Sequence, residues 1–176
     1  MALHIIIDGY NMIYRSKRIG DAGHAHLQES RDRLIQSLHA YKKLKHHRIT
    51  VVFDGTNAPS PTPWRDQAGG IEIRFSRRGE SADTVIKRMA NQEKEKALVV
   101  SSDRDIVAFA ANHGAAVVSA DEFENKISQA LLMNPKDPDG EHMDEPTGWT
   151  PTTKKKGPAR RLSKKDRKMR LKLEKI

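Results

Sequence analysis

The sequence predicts an α/β fold with a mostly parallel sheet. Short apolar runs of strand length alternate with stretches of helical periodicity, and their order reads β-α-β-β-α-β-α-β-α. Four of the runs also lead into acid: Leu3 to Ile7 into Asp8, Ile49 to Phe53 into Asp54, Ala97 to Val100 into Asp103 and Asp105, and Ala115 to Val118 towards Asp121. In an open parallel sheet the carboxyl ends of the strands share one edge, and ligands bind in the crevice outside it. The fold class therefore already places acid at the ligand edge.

Taken in order, Leu3-His4-Ile5-Ile6-Ile7 is a buried strand ending at Asp8. In the following Gly9-Tyr10-Asn11, Gly9 permits a tight departure and Asn11 can orient Asp8 or a metal-bound water through its amide. The same residues also suit an ordinary strand-to-loop turn. Leu27, Leu34, Leu38, Tyr41 and Leu44 mark a helix with one buried face, and Ile49 to Phe53 a second strand. Residues 55–70 form a long irregular stretch with Pro59, Pro61, Pro63 and Trp64. Stretches of this kind are usually functional or mobile, and beside Asp54 this one reads as a flap whose Trp64 stacks on a base. Ile71-Glu72-Ile73-Arg74-Phe75 alternates as a half-exposed edge strand does.

Val85, Ile86, Met89 and Ala90 give the next helix, preceded by Glu80-Ser81-Ala82-Asp83. The strand Ala97 to Val100 runs through Ser101-Ser102 into a helix marked by Ile106, Val107, Ala110 and Ala111. The last strand, Ala115 to Val118, is followed by a helix on Phe123, Ile127, Ala130 and Leu131. Ser102 with Asp105, and Asp121 with Glu124, resemble capping boxes at the two helix starts.

Charge divides the chain. Residues 1–133 hold 19 Lys/Arg against 16 Asp/Glu, residues 134–153 hold 1 against 5, and residues 154–176 hold 12 against 2. This predicts a folded unit over 1–133, an acidic Pro/Gly-rich linker over 134–153, and a basic tail over 154–176, separable from the domain and helical when bound. Lys154, Lys155, Lys156, Arg160, Arg161, Lys164 and Lys165 make that tail a candidate RNA contact, because dense cationic charge attracts phosphate backbones by counterion release. A merely solubilising tail is the competing reading. The chain has no cysteine, which excludes disulfide partners and thiolate chemistry. No apolar run reaches the length of a membrane span, and residues 1–8 lack the features of a signal peptide, so a cytoplasmic setting is expected.

The chemistry lies in the acids. Like charges brought together repel unless a cation sits between them, and hard cations take oxygen ligands. Asp103 and Asp105, two apart at a helix start, can both lean towards the strand-end crevice, although either also serves as a simple cap. Glu80 and Asp83 repeat the arrangement at the preceding helix start. Asp8, Asp83, Asp103 and Asp105 suit an ion that takes a few carboxylates and keeps its waters. Such a site activates water and neutralises charge on a phosphodiester. His24, His26, His46 and His47 read as solvated surface residues, and Tyr10 as a residue that stacks on bases or packs at the pocket rim.

The strings Ile6-Ile7-Asp8-Gly9-Tyr10-Asn11, Val52-Phe53-Asp54-Gly55, Glu80-Ser81-Ala82-Asp83 and Val100-Ser101-Ser102-Asp103-Arg104-Asp105, in that order, resemble the NYN domain of YacP-like proteins, a branch of the PIN-like nucleases. The resemblance covers roughly residues 3–132. It implies a PIN-like three-layer α/β/α sandwich and a Mg²⁺- or Mn²⁺-dependent endoribonuclease that cleaves RNA by water attack. It further implies Asp8, Asp83 and Asp103 as principal metal ligands, Asp105 as a fourth acid, and Asn11, Ser101, Asp54 and Glu80 as supporting residues. It also suggests a link to the ribosome. Two other classes make different demands. A receiver-type signalling domain requires an acid pair ending the first strand and a lysine ending a late one, where this chain has Asp8-Gly9 and Val118-Ser119. A P-loop enzyme requires a GxxxxGK[ST] string, which is missing. A non-catalytic RNA-binding module would keep the fold and tail without needing the acids.

Overall fold

The computed structural model describes residues 3–16, 27–55, 65–133, 164–174 and 176. Trp64, Lys154, Lys155, Lys156, Arg160 and Arg161 lie outside the described residues, as do His24, His26 and most of the expected flap.

The elements follow in order as β1 (His4–Asp8), α1 (Gly9–Arg15), α2 (Leu27–Lys45), β2 (Arg48–Phe53), β3 (Arg65–Ala68) and β4 (Ile71–Phe75). They continue as α3 (Ala82–Glu93), β5 (Ala97–Val100), α4 (Arg104–Asn112), β6 (Ala116–Val118), α5 (Ala120–Leu132) and α6 (Lys164–Leu173). The sheet order is β3-β4-β2-β1-β5-β6, parallel throughout except for β3, which runs antiparallel to β4.

The period of two in each strand sorts its side chains between two apolar layers. Ile5 and Ile7 of β1, Val51 and Phe53 of β2, and Leu98 and Val100 of β5 pack with Leu34, Leu38 and Tyr41 of α2 and Phe123 and Ile127 of α5. Ile6, Val52 and Val99 face the other way, onto Val85, Ile86 and Met89 of α3 and Ile106 and Ala110 of α4. The result is the expected three-layer α/β/α sandwich with a mostly parallel sheet. Successive strands first build outward from β1 through β2 to β4, and then the chain returns through α3 to add β5 on the other side of β1. The topological switch point lies between β1 and β5, where a ligand crevice is expected. Among the described residues no helix is long and apolar enough to cross a membrane.

Four local expectations are corrected. β4 is not an edge strand, because β3 pairs along its outer side; β3 reads Arg65-Asp66-Gln67-Ala68, without the apolar alternation that announces a strand. The chain does not leave β1 by a simple turn: Asp8 caps a helix that begins at Gly9. Asp103 rather than Ser102 caps α4, and Ser119 rather than Asp121 caps α5; Ser102 Oγ instead accepts from the Ala120 N–H at 3.3 Å, and Glu124 accepts from Ser16 Oγ at 2.5 Å. His47 is buried, its Nδ1 accepting from the Leu3 N–H at 3.4 Å.

The end of the chain also departs from the expected separable tail. α6 packs beside β6, with Met169 and Leu173 against the core and Ile176 buried within it. Tyr41 donates its hydroxyl to the main-chain oxygen of Ile176 at 3.1 Å, and Lys126 donates to the Leu173 carbonyl at 2.8 Å. The physical reason is spacing: Met169, Leu173 and Ile176 fall at i, i+4 and i+7, an apolar stripe on a highly charged helix.

Candidate active site

Asp8 occupies the carboxyl end of β1 and follows Ile6 onto the α3/α4 face of the sheet. Its Oδ1 accepts from the Asn11 backbone N–H at 3.2 Å, which caps α1, and its Oδ2 accepts from Ser101 Oγ at 3.1 Å. Ser101 is buried directly after β5, and its Oγ also accepts from the Asp103 N–H at 3.1 Å. One hydroxyl thus joins the end of β1 to the start of α4 across the switch point. Asn11 adds a second tie, its Oδ1 accepting from the Ser102 N–H at 2.9 Å. The Asn11 side chain thus holds the β5–α4 junction through its Oδ1, while its backbone N–H serves Asp8.

Asp103 Oδ1 accepts from the N–H groups of Asp105 and Ile106 at 2.8 and 3.3 Å, so it is both helix cap and site residue. Asp83 lies in the first turn of α3, whose cap is Ser81. Burial pushes the Asp8 carboxyl up to about 6; the bonds from Asn11 and Ser101 pull it down, and the charges of Asp83 and Asp103 push it up again. Three acids from three elements therefore share one electrostatic neighbourhood.

The remaining predicted residues divide. Asp105 is largely exposed and pairs with Lys87, one turn beyond Asp83 on α3. That hydrogen bond and the charges of Asp105, Asp83 and Asp103 raise the Lys87 ammonium above its ordinary value. Glu80 is turned aside, its carboxylate bound to Arg88 at 2.7 Å. Asp54 ends β2 on the same sheet edge, where its charge acts on Tyr10. The Tyr10 ring packs on Phe53 and Tyr14, with centroids 5.1 and 6.2 Å away, so it belongs to the apolar wall. Lys164 and Lys165 open α6.

Lys87 is the residue that the motif strings miss. Its signal was the i, i+4 spacing from Asp83, which puts a cation on the same helix face as an acid.

The donor set, being all carboxylate oxygen, is of the kind a hard divalent cation takes. Among the described residues, however, no three His, Asp or Glu side chains are gathered into a ready-made metal cage. The arrangement is an electrostatic neighbourhood of carboxylates in which Asp103 is still spent on its helix cap.

A model of the YacP-like NYN domain matches residues 5–174 of the chain. YacP of Bacillus subtilis (strain 168) is 30% identical over 86 residues, 49% of this chain and 50% of the relative, so the match spans about half of that protein. Two crystal structures of Rae1 (YacP) from Bacillus subtilis share the fold. One, at 27% identity, has a TM-score of 0.63 over 76% of this chain and 77% of its own. The other, of a point mutant, has a TM-score of 0.64 at 25% identity over 74% and 78%. The family match runs through α6, in keeping with that helix being packed onto the domain. The chain belongs to the YacP-like NYN domain family, a nuclease-type family.

Proposed function

We propose that the protein is a hydrolase of the endoribonuclease type, cutting RNA phosphodiester bonds with the help of Mg²⁺ or Mn²⁺ in the cytoplasm, with ribosome-bound mRNA as its target. The reading is supported by the Ser101 hydroxyl, which donates to Asp8 and accepts from the Asp103 N–H at the switch point of the sheet, with the charges of Asp83 and Asp103 acting on the same buried Asp8 carboxyl. A pocket of this kind stores repulsion that a divalent cation relieves.

Asp8, Asp83 and Asp103 would hold the ion, and Asp105 would supply a fourth acid once free of Lys87. When bound, the ion supplies water activation and charge neutralisation at the phosphodiester. The chain's own residues do the rest. Ser101 and Asn11 fix the acids on β1 and α4 relative to each other. Asp8, buried and raised towards neutrality without metal, would give up its proton as a cation binds. Lys87 sets a cation beside Asp83, Asp103 and Asp105, where it can balance charge or meet a substrate phosphate. The net charge of +9 favours a polyanionic substrate, and the basic residues 154–161 add phosphate contacts.

The test is to incubate the protein with a mixture of structured and single-stranded RNA, with and without Mg²⁺ or Mn²⁺, and to map the new ends. Internal ends that appear only with the metal are expected. RNA left intact under both conditions would overturn the reading.

A further inference from the structure

A cavity of about 390 Å³ runs along the α2 face of the sheet, from Ala68 and Gly69 at the β3–β4 turn to Phe53 and Phe75 at the carboxyl ends of β2 and β4; Asp32 of α2 lines it, and Asp8, Asp83, Asp103 and Asp105 do not. Its floor is Phe53, Ile73 and Phe75, and its wall is one stripe of α2 that includes Arg31, Ile35 and Gln36. Phe53 and Phe75 are the last residues of their strands and stack with centroids 5.5 Å apart. The buried Arg31 guanidinium lies over both rings, 6.0 and 5.6 Å from their centroids. Its Nε donates to the Leu27 carbonyl at 3.4 Å. The side chain is thus held in place by its own helix and by two aromatic faces.

The cavity adjoins the acidic site through Gly9. A Cβ at this position would collide with the Phe53 ring, so the residue after Asp8 lies directly against the cavity floor. β4 stands two strands from β1, about 10 Å along the sheet edge. A strand of RNA crossing this edge from the α3/α4 face, with a phosphate at Asp8, would bring a neighbouring nucleotide to the α2 face at Arg31, which covers Phe53 and Phe75.

We propose that this cavity is a base-recognition subsite, which takes one unstacked nucleobase of single-stranded RNA next to the bond being cut. Its chemistry is what single-strand recognition uses: a guanidinium plane backed by two buried aromatic rings, and polar side chains at the rim to meet base edges. The volume falls within the range of small-ligand sites. Exposed Gln28 and Gln36 and half-buried His39 supply the rim groups on the same α2 stripe, where Gln28 Nε2 also donates to Asp32 Oδ1 at 2.9 Å. The inference rests on RNA being the substrate, but its test needs no cleavage.

The experiment is equilibrium binding of short single-stranded RNA to the full chain in EDTA, followed by fluorescence anisotropy. An abasic nucleotide is placed at each position of the oligonucleotide in turn. One position is expected to weaken binding about fivefold or more, the lower end of the worth of a base stack. Gln36→Trp, which fills the cavity from its exposed rim, is expected to weaken binding of intact RNA to the level of that abasic oligonucleotide and to flatten the scan. Gln28→Trp, from another point on the rim, provides an independent obstruction, with thermal melting to verify folding. A flat scan for the wild type, or a scan unchanged in both variants, would overturn the subsite. If RNA binds with one sensitive position yet is never cut, the nuclease reading fails and the subsite stands.

Discussion

At the scale of single residues the site is governed by Asp8. A carboxyl raised from 3.8 to about 6 binds its proton more tightly in the folded chain than in the unfolded one. Without metal, stability is therefore greatest at the acid end of that window and falls as pH rises through 6, by about 3 kcal/mol in all. Asp8→Asn keeps the volume and removes the charge. The expected outcome is a metal-free protein more stable than wild type at pH 8, by up to about 3 kcal/mol, and similar to it at pH 4. Denaturant melts at the two pH values check this, and equal stability of the two proteins at pH 8 would contradict it.

Lys87 gives a second residue-scale test. Its ammonium competes with any cation for Asp83, Asp103 and Asp105. Lys87→Gln is expected to tighten Mn²⁺ binding in a direct titration followed by electron paramagnetic resonance. Weaker binding would mean that Lys87 orders the acids rather than opposing the ion.

At the scale of elements, α6 is the largest departure from what the sequence suggested. Truncation after Thr153 removes Met169, Leu173 and Ile176 from the core and leaves the buried Tyr41 hydroxyl without its acceptor. A loss of about 5 °C or more in Tm is expected, since losing even one buried Ile costs about 2 to 5 kcal/mol. Tyr41→Phe, which removes only the hydroxyl, is expected to cost about 1 kcal/mol. An unchanged Tm on truncation would restore the separable tail. The reason for the misreading is physical: Leu162, Met169, Leu171, Leu173 and Ile176 allow a short helix, but among a dozen basic residues they do not show which of them dock, and charge dominates such a segment until a docking surface exists. The strands with apolar runs were legible because β1, β2, β4, β5 and β6 are buried on one or both faces. β3 was not, because pairing with β4 rather than burial of an apolar face defines it. α1 was hidden because Asp8-Gly9-Tyr10-Asn11 serves equally as a turn and as a capped helix start.

At the scale of the whole molecule, topology turns separate motifs into a site. The convergence of Asp8 and Asp103 was legible because strand ends of a parallel sheet share an edge, and the order of strands then sets them on either side of the switch point. The pairing of Asp105 with Lys87 and of Glu80 with Arg88 was not, since ion pairs between neighbouring elements depend on rotamers that no spacing specifies. Charge acts at the same scale. Replacing Lys154, Lys155, Lys156, Arg160 and Arg161 with Gln leaves α6 in place and removes five cations. The slope of log affinity for single-stranded RNA against log salt is expected to fall in magnitude by about 3.5 if each cation meets a phosphate. Parallel slopes for variant and wild type would make these residues bystanders.

The central claim is that the acids at the switch point form a metal-dependent nuclease centre. It is tested most directly by cleavage of a short single-stranded RNA by the Asp8→Asn/Asp103→Asn variant at saturating Mg²⁺ or Mn²⁺, with the fold verified by circular dichroism. The account predicts metal-dependent cutting by the wild type and none by the folded variant. Cutting by that variant at the wild-type rate would contradict it.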